Sequence, residues 1–250
     1  MSEGTKLGDP NLPTREQLRE AAYLRMQEIE RDVKSKIRDI ETLPTHEEVL
    51  RYFNAMEDFH AVGGYDWSAA CQHLIDHVVF NVEFINSLAE EIRALASSPI
   101  IEICAGRGKL THQLRKLGIE ISASDDLSDR WSSSGAERER VEFLPHDKVI
   151  EKYHPQVVVA SWIPEPRIGH DILSSRFIRH FIDISPTFSG AWIGYPHEYI
   201  NDIIKGDDPE MFGWSFRYLD NVERFSIGRT DTRLNGQEHH NTRARLFSRK

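Results

Sequence analysis

The sequence predicts an α/β protein built on a mostly parallel sheet, and two observations carry that prediction. Residues 99–126 read PIIEICAGRGKLTHQLRKLGIEISASDD. A β-branched run at 100–105 enters a glycine turn. Leu110, Leu114 and Leu117 then recur at helical spacing, Gly118 stops the helix, and a second β-branched run at 119–123 ends on Asp125-Asp126. This is a strand, tight turn, helix and strand in the order of a βαβ unit. The second observation is QVVVAS at 156–161, a continuous apolar run of the kind a central parallel strand needs when both its faces are covered.

The turn and the acidic strand end point to a ligand. Gly106 and Gly108 let the backbone approach a bound molecule closely, and a carboxylate at the carboxyl end of the next strand can accept hydrogen bonds from ribose hydroxyls. Together they imply a nucleoside-containing ligand. A dinucleotide fingerprint would place a third glycine where this chain has Thr111, and no G-x-x-x-x-G-K-[ST] run occurs, so the pattern speaks against NAD and excludes a Walker loop.

Composition narrows the class further. The chain has 250 residues, 39% hydrophobic and 28% charged, which suits a soluble globular protein with a full core, and no apolar run is long enough to cross a membrane. Residues 1–13 are polar, have no apolar segment resembling a secretion signal, and are read as a flexible tail. The two cysteines, Cys71 and Cys104, have no metal or redox spacing, which suits a reducing, cytoplasmic compartment. A formal charge of −9, from 40 acidic and 31 basic residues, disfavours a broad nucleic-acid surface.

Residues 14–97 read as a helical extension ahead of the sheet. Thr14 with Gln17 and Thr45 with Glu48 form two capping boxes. The first helix carries one narrow stripe, Leu18, Ala22, Met26, Ile29, Val33, Ile37 and Ile40, which packs either on this chain or on a second copy as a homodimer element. The second presents Val49, Leu50, Phe53 and Met56, and residues 67–96 read as helical in one or two pieces. His73 and His77 stand four apart but have no third ligand nearby, and His239-His240 alternate on an extended segment, so no metal site is expected.

Further on, residues 141–147 read as a third strand ending on Asp147, residues 172–181 as a helix through Ile172, Phe177, Ile178 and Phe181, and residues 191–195 as a fifth strand. A helix is expected at 198–204, and strand-like pieces at 215–219, 222–227 and 242–247, with the turn-rich stretch 229–241 between the last two.

The form E-x-C-A-G-x-G, set by Glu102, Cys104, Ala105, Gly106 and Gly108, resembles motif I of the class I methyltransferases that use S-adenosyl-L-methionine (SAM). The resemblance covers about residues 99–195. It implies a Rossmann-like, seven-stranded and mostly parallel sheet over 98–250, closed at one edge by an antiparallel pair. It also implies a SAM site in which Glu102, Ala105, Gly106 and Gly108 belong to the loop, Asp125 and Asp126 hold the ribose, and Asp147 meets the adenine amino group. Ser161 is expected at the cofactor end of the fourth strand. Where members that methylate planar amino groups carry [DNS]-P-P-[YFW], this chain has Ser161-Trp162-Ile163-Pro164, which counts against such an acceptor.

Methyl transfer from a sulfonium is an in-line displacement, so the residues that matter position the acceptor, exclude water and, where needed, take a proton. Ser161, Trp162, Glu165 and His197 are the candidates for that work, beside Glu198 in the same stretch; Trp162, Tyr195, Tyr65 and Trp67 are candidates for lining the acceptor pocket. The expected activity is methylation of an O, N or S atom of a small metabolite, with the helical extension capping the pocket. A macromolecular acceptor would call for a basic rim near Arg167, Arg176 and Arg179. A silent SAM-binding scaffold would call for an exposed Leu18 to Ile40 stripe.

Overall fold

A computed structural model describes residues 12–67, 78–126, 141–186, 213–228, 232–234, 237–239 and 242–250. Both capping boxes form. The Thr14 hydroxyl accepts from the Gln17 N–H at 3.2 Å while the Gln17 side chain accepts from the Thr14 N–H at 2.8 Å, opening α1 (Arg15–Arg38). Thr45 and Glu48 make the same exchange at the start of α2 (His46–Ala61). Two orphan N–H groups are satisfied at each start, so both helices begin where the sequence places them.

The α1 stripe is buried within the chain. Met26, Ile29, Val33 and Ile37 pack with Val49, Tyr52, Phe53, Met56 and Phe59 of α2, and Trp67, Val79 and Ile227 close the cluster. The first half of α1 keeps apolar exposure at Leu18, Tyr23 and Leu24.

The stretch read as helical over 67–96, in one or two pieces, is interrupted at residues 78 and 79. Val79 N–H donates to the Ile227 carbonyl at 2.9 Å and Val78 pairs with Gly228, so this stretch is extended. Asn81 then caps α3 (Val82–Leu95) by accepting from the Phe84 N–H at 2.9 Å. Residues 68–77, with Cys71, His73 and His77, lie outside the described residues.

The sheet runs β1 (Ile100–Ile103), β2 (Ile121–Asp125), β3 (Glu142–Phe143), β4 (Val157–Ser161), β5 (His180–Pro186), β6 (Trp214–Tyr218) and β9 (Thr242–Arg249). Its spatial order is β3-β2-β1-β4-β5-β9-β6. Strands β1 to β5 pair parallel, while β9 is antiparallel to both β5 and β6. A separate hairpin joins β7 (Thr232–Leu234) and β8 (Gln237–His239). The architecture is the Rossmann-like, seven-stranded, mostly parallel sheet that the sequence predicts, with β6 and β9 as the antiparallel edge pair.

Helices cover both faces. On one, α3, α4 (Lys109–Lys116) and α7 (Asp220–Glu223) pack through Leu88, Leu110, Leu114 and Val222 onto Val157, Val159, Ile182 and Ile184. On the other, α5 (His146–Tyr153) and α6 (Pro166–Ser174) pack through Val149, Ile150 and Ile172 onto Ile101, Val158, Ala160 and Phe181. Double coverage is why β4 reads as an unbroken apolar run.

Three expectations are corrected here. The helix expected over 172–181 is instead the end of α6 followed by β5: Phe181 is a strand residue paired with Val158 and Phe247. A strand buried on both faces has no period of its own, so its apolar residues fit a helical spacing by accident. The third strand holds only Glu142 and Phe143, because Pro145 N-caps α5 and Asp147 falls in that helix's first turn. The piece expected as a strand at 222–227 begins as the short helix α7. The expected elements at 191–195 and 198–204 lie outside the described residues.

Phe53 is fully buried and Leu18 is 46% exposed. Phe53→Ala is therefore expected to cost about 3–5 kcal/mol in denaturant unfolding, and Leu18→Ala less than about 0.5 kcal/mol. Similar costs for both would show that the α1 stripe is not packed as described.

Candidate functional site

The strand order reverses between β1 and β4, since β1 leads to β2 on one side and β4 lies on the other. Open α/β sheets bind ligands at the carboxyl ends of the strands at such a point. The ends of β1, β2 and β4 bring together the turn at 104–108, Asp125 with Asp126, and Ser161 with Trp162.

The turn has a defined shape. Ala105 N–H donates to the Ser124 carbonyl at 3.1 Å, Gly108 N–H to the Ala105 carbonyl at 2.8 Å, and Gly106 N–H to Asp125 Oδ2 at 2.7 Å. Gly106 and Gly108 have φ of 53° and 74°. A Cβ on Gly108 would stand 2.5 Å from Val141 Cγ2, whereas one on Gly106 would meet nothing within 4 Å. Gly108 is thus glycine for the fold, and Gly106 faces open space where a ligand can lie against the backbone.

Two residues at the crevice hold left-handed backbone without being glycine: Cys104 at φ 56°, directly after β1, and Trp162 at φ 66°, directly after β4. Strain of this kind collects at binding sites. The Cys104 thiol is pushed up by burial and by the charges of Asp125, Asp126, Glu102 and Glu165, so it stays protonated. Asp125 and Asp126 at the end of β2 and Glu165 after β4 are the carboxylates on this side of the sheet.

Both cations of the turn bond the end of α1. Lys109 Nζ donates to the carbonyls of Lys36 and Ile37 at 2.9 and 2.6 Å, and Arg107 Nη1 to the Arg38 carbonyl at 3.0 Å, all at the end of α1.

Glu102 does not open onto the crevice. It is 2% exposed, and its Oε2 accepts from Thr111 N–H at 2.9 Å and from Thr111 Oγ1 at 2.5 Å. It therefore braces the start of α4 from below. Burial pushes its carboxyl up to about 7, against the pull of the Thr111 bonds.

The other candidates divide clearly. Asp125 is half-buried and Asp126 exposed at the end of β2. Ser161 is half-buried, Trp162 is 7% exposed with its N–H donating to the Ile184 carbonyl at 2.9 Å, and Glu165 is exposed as the residue before α6. Asp147 stands near Lys148 on α5, Oδ2 to Nζ 3.8 Å, with half its side chain exposed. Trp67 is buried against Tyr52 and Phe53 and donates Nε1–H to the Gly228 carbonyl at 2.9 Å, so it belongs to the helical core. Tyr65 is 44% exposed and lies edge-on to Phe59. Tyr195, His197 and Glu198 lie outside the described residues, as does His240; among the described residues no His, Cys, Asp and Glu group could hold a metal.

One residue escaped the sequence reading. Phe143 is 69% exposed and is the register partner of Asp125 across the β2–β3 pair, so an open aromatic residue stands on the strand next to the carboxylate's own. Nothing in its local pattern distinguishes it from a core strand residue.

No family model matches the chain, and no curated protein matches it. Among solved structures, it is similar to the methyltransferase domain of bacterial CtHen1, at 13% identity and a TM-score of 0.40, over 66% of this chain and 97% of that one. It is also similar to magnesium protoporphyrin IX methyltransferase (ChlM) from Synechocystis PCC 6803 with bound SAM, at 12% identity and a TM-score of 0.41, over 66% and 78%. A third is the 23S rRNA methyltransferase ErmE, at 13% and 0.40, over 68% and 69%. Likeness at this level identifies no substrate.

The raised carboxyl of Glu102 gives a pH signature. A folded-state value near 7 against an ordinary 4.5 means the fold prefers the protonated form, so its contribution is present below about pH 4.5 and is lost as pH rises through 7. Relative to the wild type, Glu102→Gln is expected to gain stability between pH 5 and pH 8, by on the order of 1–3 kcal/mol at most. Thermal melts of both proteins across that range measure the difference. A constant gap would show that Glu102 is ionised throughout.

Proposed function

We propose that the chain is an enzyme, a SAM-dependent methyltransferase acting on an O, N or S atom of a small molecule. The observation that carries the reading is which groups the turn has already used. A phosphate at a glycine turn needs backbone N–H donors, a helix N-terminus and, in many sites, a cation. Here Gly106 N–H is turned to Asp125, Thr111 N–H to Glu102, and Arg107 and Lys109 to α1. What faces the crevice is acidic and suits a nucleoside with positive charge, as the sulfonium and ammonium of SAM provide.

The residues fit such a group. Asp125, already bonded to the Gly106 N–H, is the residue proposed for the ribose hydroxyls. Asp126 adds a second carboxylate at the same strand end. Phe143 beside Asp125 offers a face on which a base can stack, with Asp147 on the β3 side as the adenine partner. Gly106 keeps the backbone clear for the methionine part.

When bound, SAM supplies a methyl group whose departure as part of a neutral thioether needs no acid. This chain's own work is to place the acceptor and keep water out. Ser161, Trp162 and Glu165 at the end of β4 stand where the acceptor would lie. Trp162 forms an apolar wall, and Glu165 is the described carboxylate able to take a proton from an O–H, N–H or S–H acceptor. His197 and Tyr195 are proposed for the same pocket from the sequence alone. The helices α1 and α2 act as its cap.

Small acceptors are favoured over nucleic acid. Arg176 and Arg179 lie between α6 and β5, at the amino end of the strand and so at the opposite edge of the sheet from the crevice, and Arg167 pairs with Asp171 at 3.6 Å. No basic rim therefore surrounds the site among the described residues. A pure scaffold role is disfavoured because the stripe it would present is buried.

Calorimetric titration of SAM and its demethylated product tests this. Both are expected to bind the wild type, and Asp125→Ala to weaken them by about 100-fold or more, since it removes a charge-assisted ribose contact and frees the turn. Failure of the wild type to bind either ligand would overturn the proposal.

A further inference from the structure

Side chains of one neighbour take the last carbonyls of α1 and of the segment just after it. Beyond Lys109 and Arg107, which take the carbonyls of residues 36, 37 and 38, Gln113 donates to the Ile40 carbonyl, Lys116 Nζ to the Glu41 carbonyl at 2.7 Å, and His112 Nε2 lies 3.0 Å from Glu41 Oε2. All five side chains come from the turn or from the eight-residue helix that follows it. Arg107 and Lys109 meet the negative end of a 24-residue helix, whose last carbonyls have no partners within the helix, and the other three bond the two residues Ile40 and Glu41 just beyond it.

Lys109 differs from the rest in two ways. It is 3% exposed, so its ammonium has left water for two backbone carbonyls. It is also the residue directly after Gly108, whose N–H closes the turn on the Ala105 carbonyl. Arg107 sits between the two glycines. The turn is thus tied on one side to β2, through Asp125 and Gly106, and on the other to α1, through Lys109 and Arg107.

We propose that Lys109 is a positioning residue that couples the N-terminal helices to the ligand turn. Docking of α1 holds residues 104–108 in the shape that accepts the ligand, and a ligand in the crevice tightens the end of α1 in return, because linkage between two sites is reciprocal. The ligand half of this rests on the nucleoside reading above; the coupling of turn to helix does not. The helical extension is on this account part of the cofactor site as well as a cap on the acceptor.

Hydrogen–deuterium exchange on the full chain tests the coupling. In the absence of ligand, Lys109→Met is expected to speed exchange about tenfold both in 35–41 and in 104–109, as a local opening shared by the two segments would. Lys109→Arg keeps the charge and donors and is expected to restore most of the protection. Ile172→Ala, a cavity on the opposite face of the sheet, lowers the melting temperature and is expected to leave both segments unchanged relative to the rest of the chain. The demethylated product of SAM should slow exchange in 35–41 of the wild type and fail to do so in Lys109→Met.

Faster exchange in 35–41 with 104–109 unaltered would overturn the proposal, leaving Lys109 as a docking contact only. So would equal effects from Ile172→Ala. Should Lys109→Met not fold, Lys109→Gln makes the same ligand-free comparison. If the wild type binds no SAM product, the cofactor reading fails, and the ligand-free comparison still decides the coupling.

Discussion

Two bonds from the chain's own carboxylates set the character of the site: Asp125 to Gly106 N–H, and Glu102 to Thr111 N–H. Each occupies a donor that a phosphate would otherwise use, and each ties an element to the turn. Asp125 joins the end of β2 to the end of β1, and Glu102 joins β1 to the first turn of α4. Cys104, Gly106 and Gly108 of the turn hold left-handed backbone. The acidity of the crevice comes from Asp125, with Asp126 and Glu165, near the Cys104 thiol.

The third anchor comes from outside the sheet. Arg107 and Lys109 would make an acidic crevice nearly neutral if they faced it, but the exposed carbonyls at the end of α1 draw them away. Helix placement and crevice charge are therefore one arrangement. The α1 stripe packs on α2, the α1 end receives the cations of the turn, and the ligand side is left to carboxylates and to the open face of Gly106. Contact also runs the other way along the chain, since Trp67 and Val79 bond to Gly228 and Ile227 ahead of the hairpin.

Local rules made much of this legible. Capping boxes at Thr14 and Thr45, the stop at Gly118 and the β1-turn-α4-β2 unit depend on residues within a few positions of one another, and each stands where periodicity and cap chemistry put it. Strands buried on both faces were harder to read: β5 lacks alternation, so Phe181 was assigned to a helix. The end of β3 was overrun by a cap at Pro145, which carried Asp147 onto α5. Contacts distant in sequence were not legible at all. Nothing near Lys109 announces that its partners are 72 and 73 positions away, nothing near Phe143 announces Asp125, and nothing at Trp67 announces Gly228. Glu102 was assigned to the ligand because it stands in the motif, whereas its side chain is spent on Thr111.

The most direct test of the account is a comparison of SAM, NAD and ATP as ligands of the wild-type chain under one set of conditions. The acidic strand ends, with the Gly106 and Thr111 amides already engaged, predict that SAM binds at least about tenfold more tightly than either phosphate-bearing nucleotide, a difference of some 1.4 kcal/mol or more. Tighter binding of NAD or ATP would mean that the turn rearranges to expose its donors, and would contradict the reading of the site.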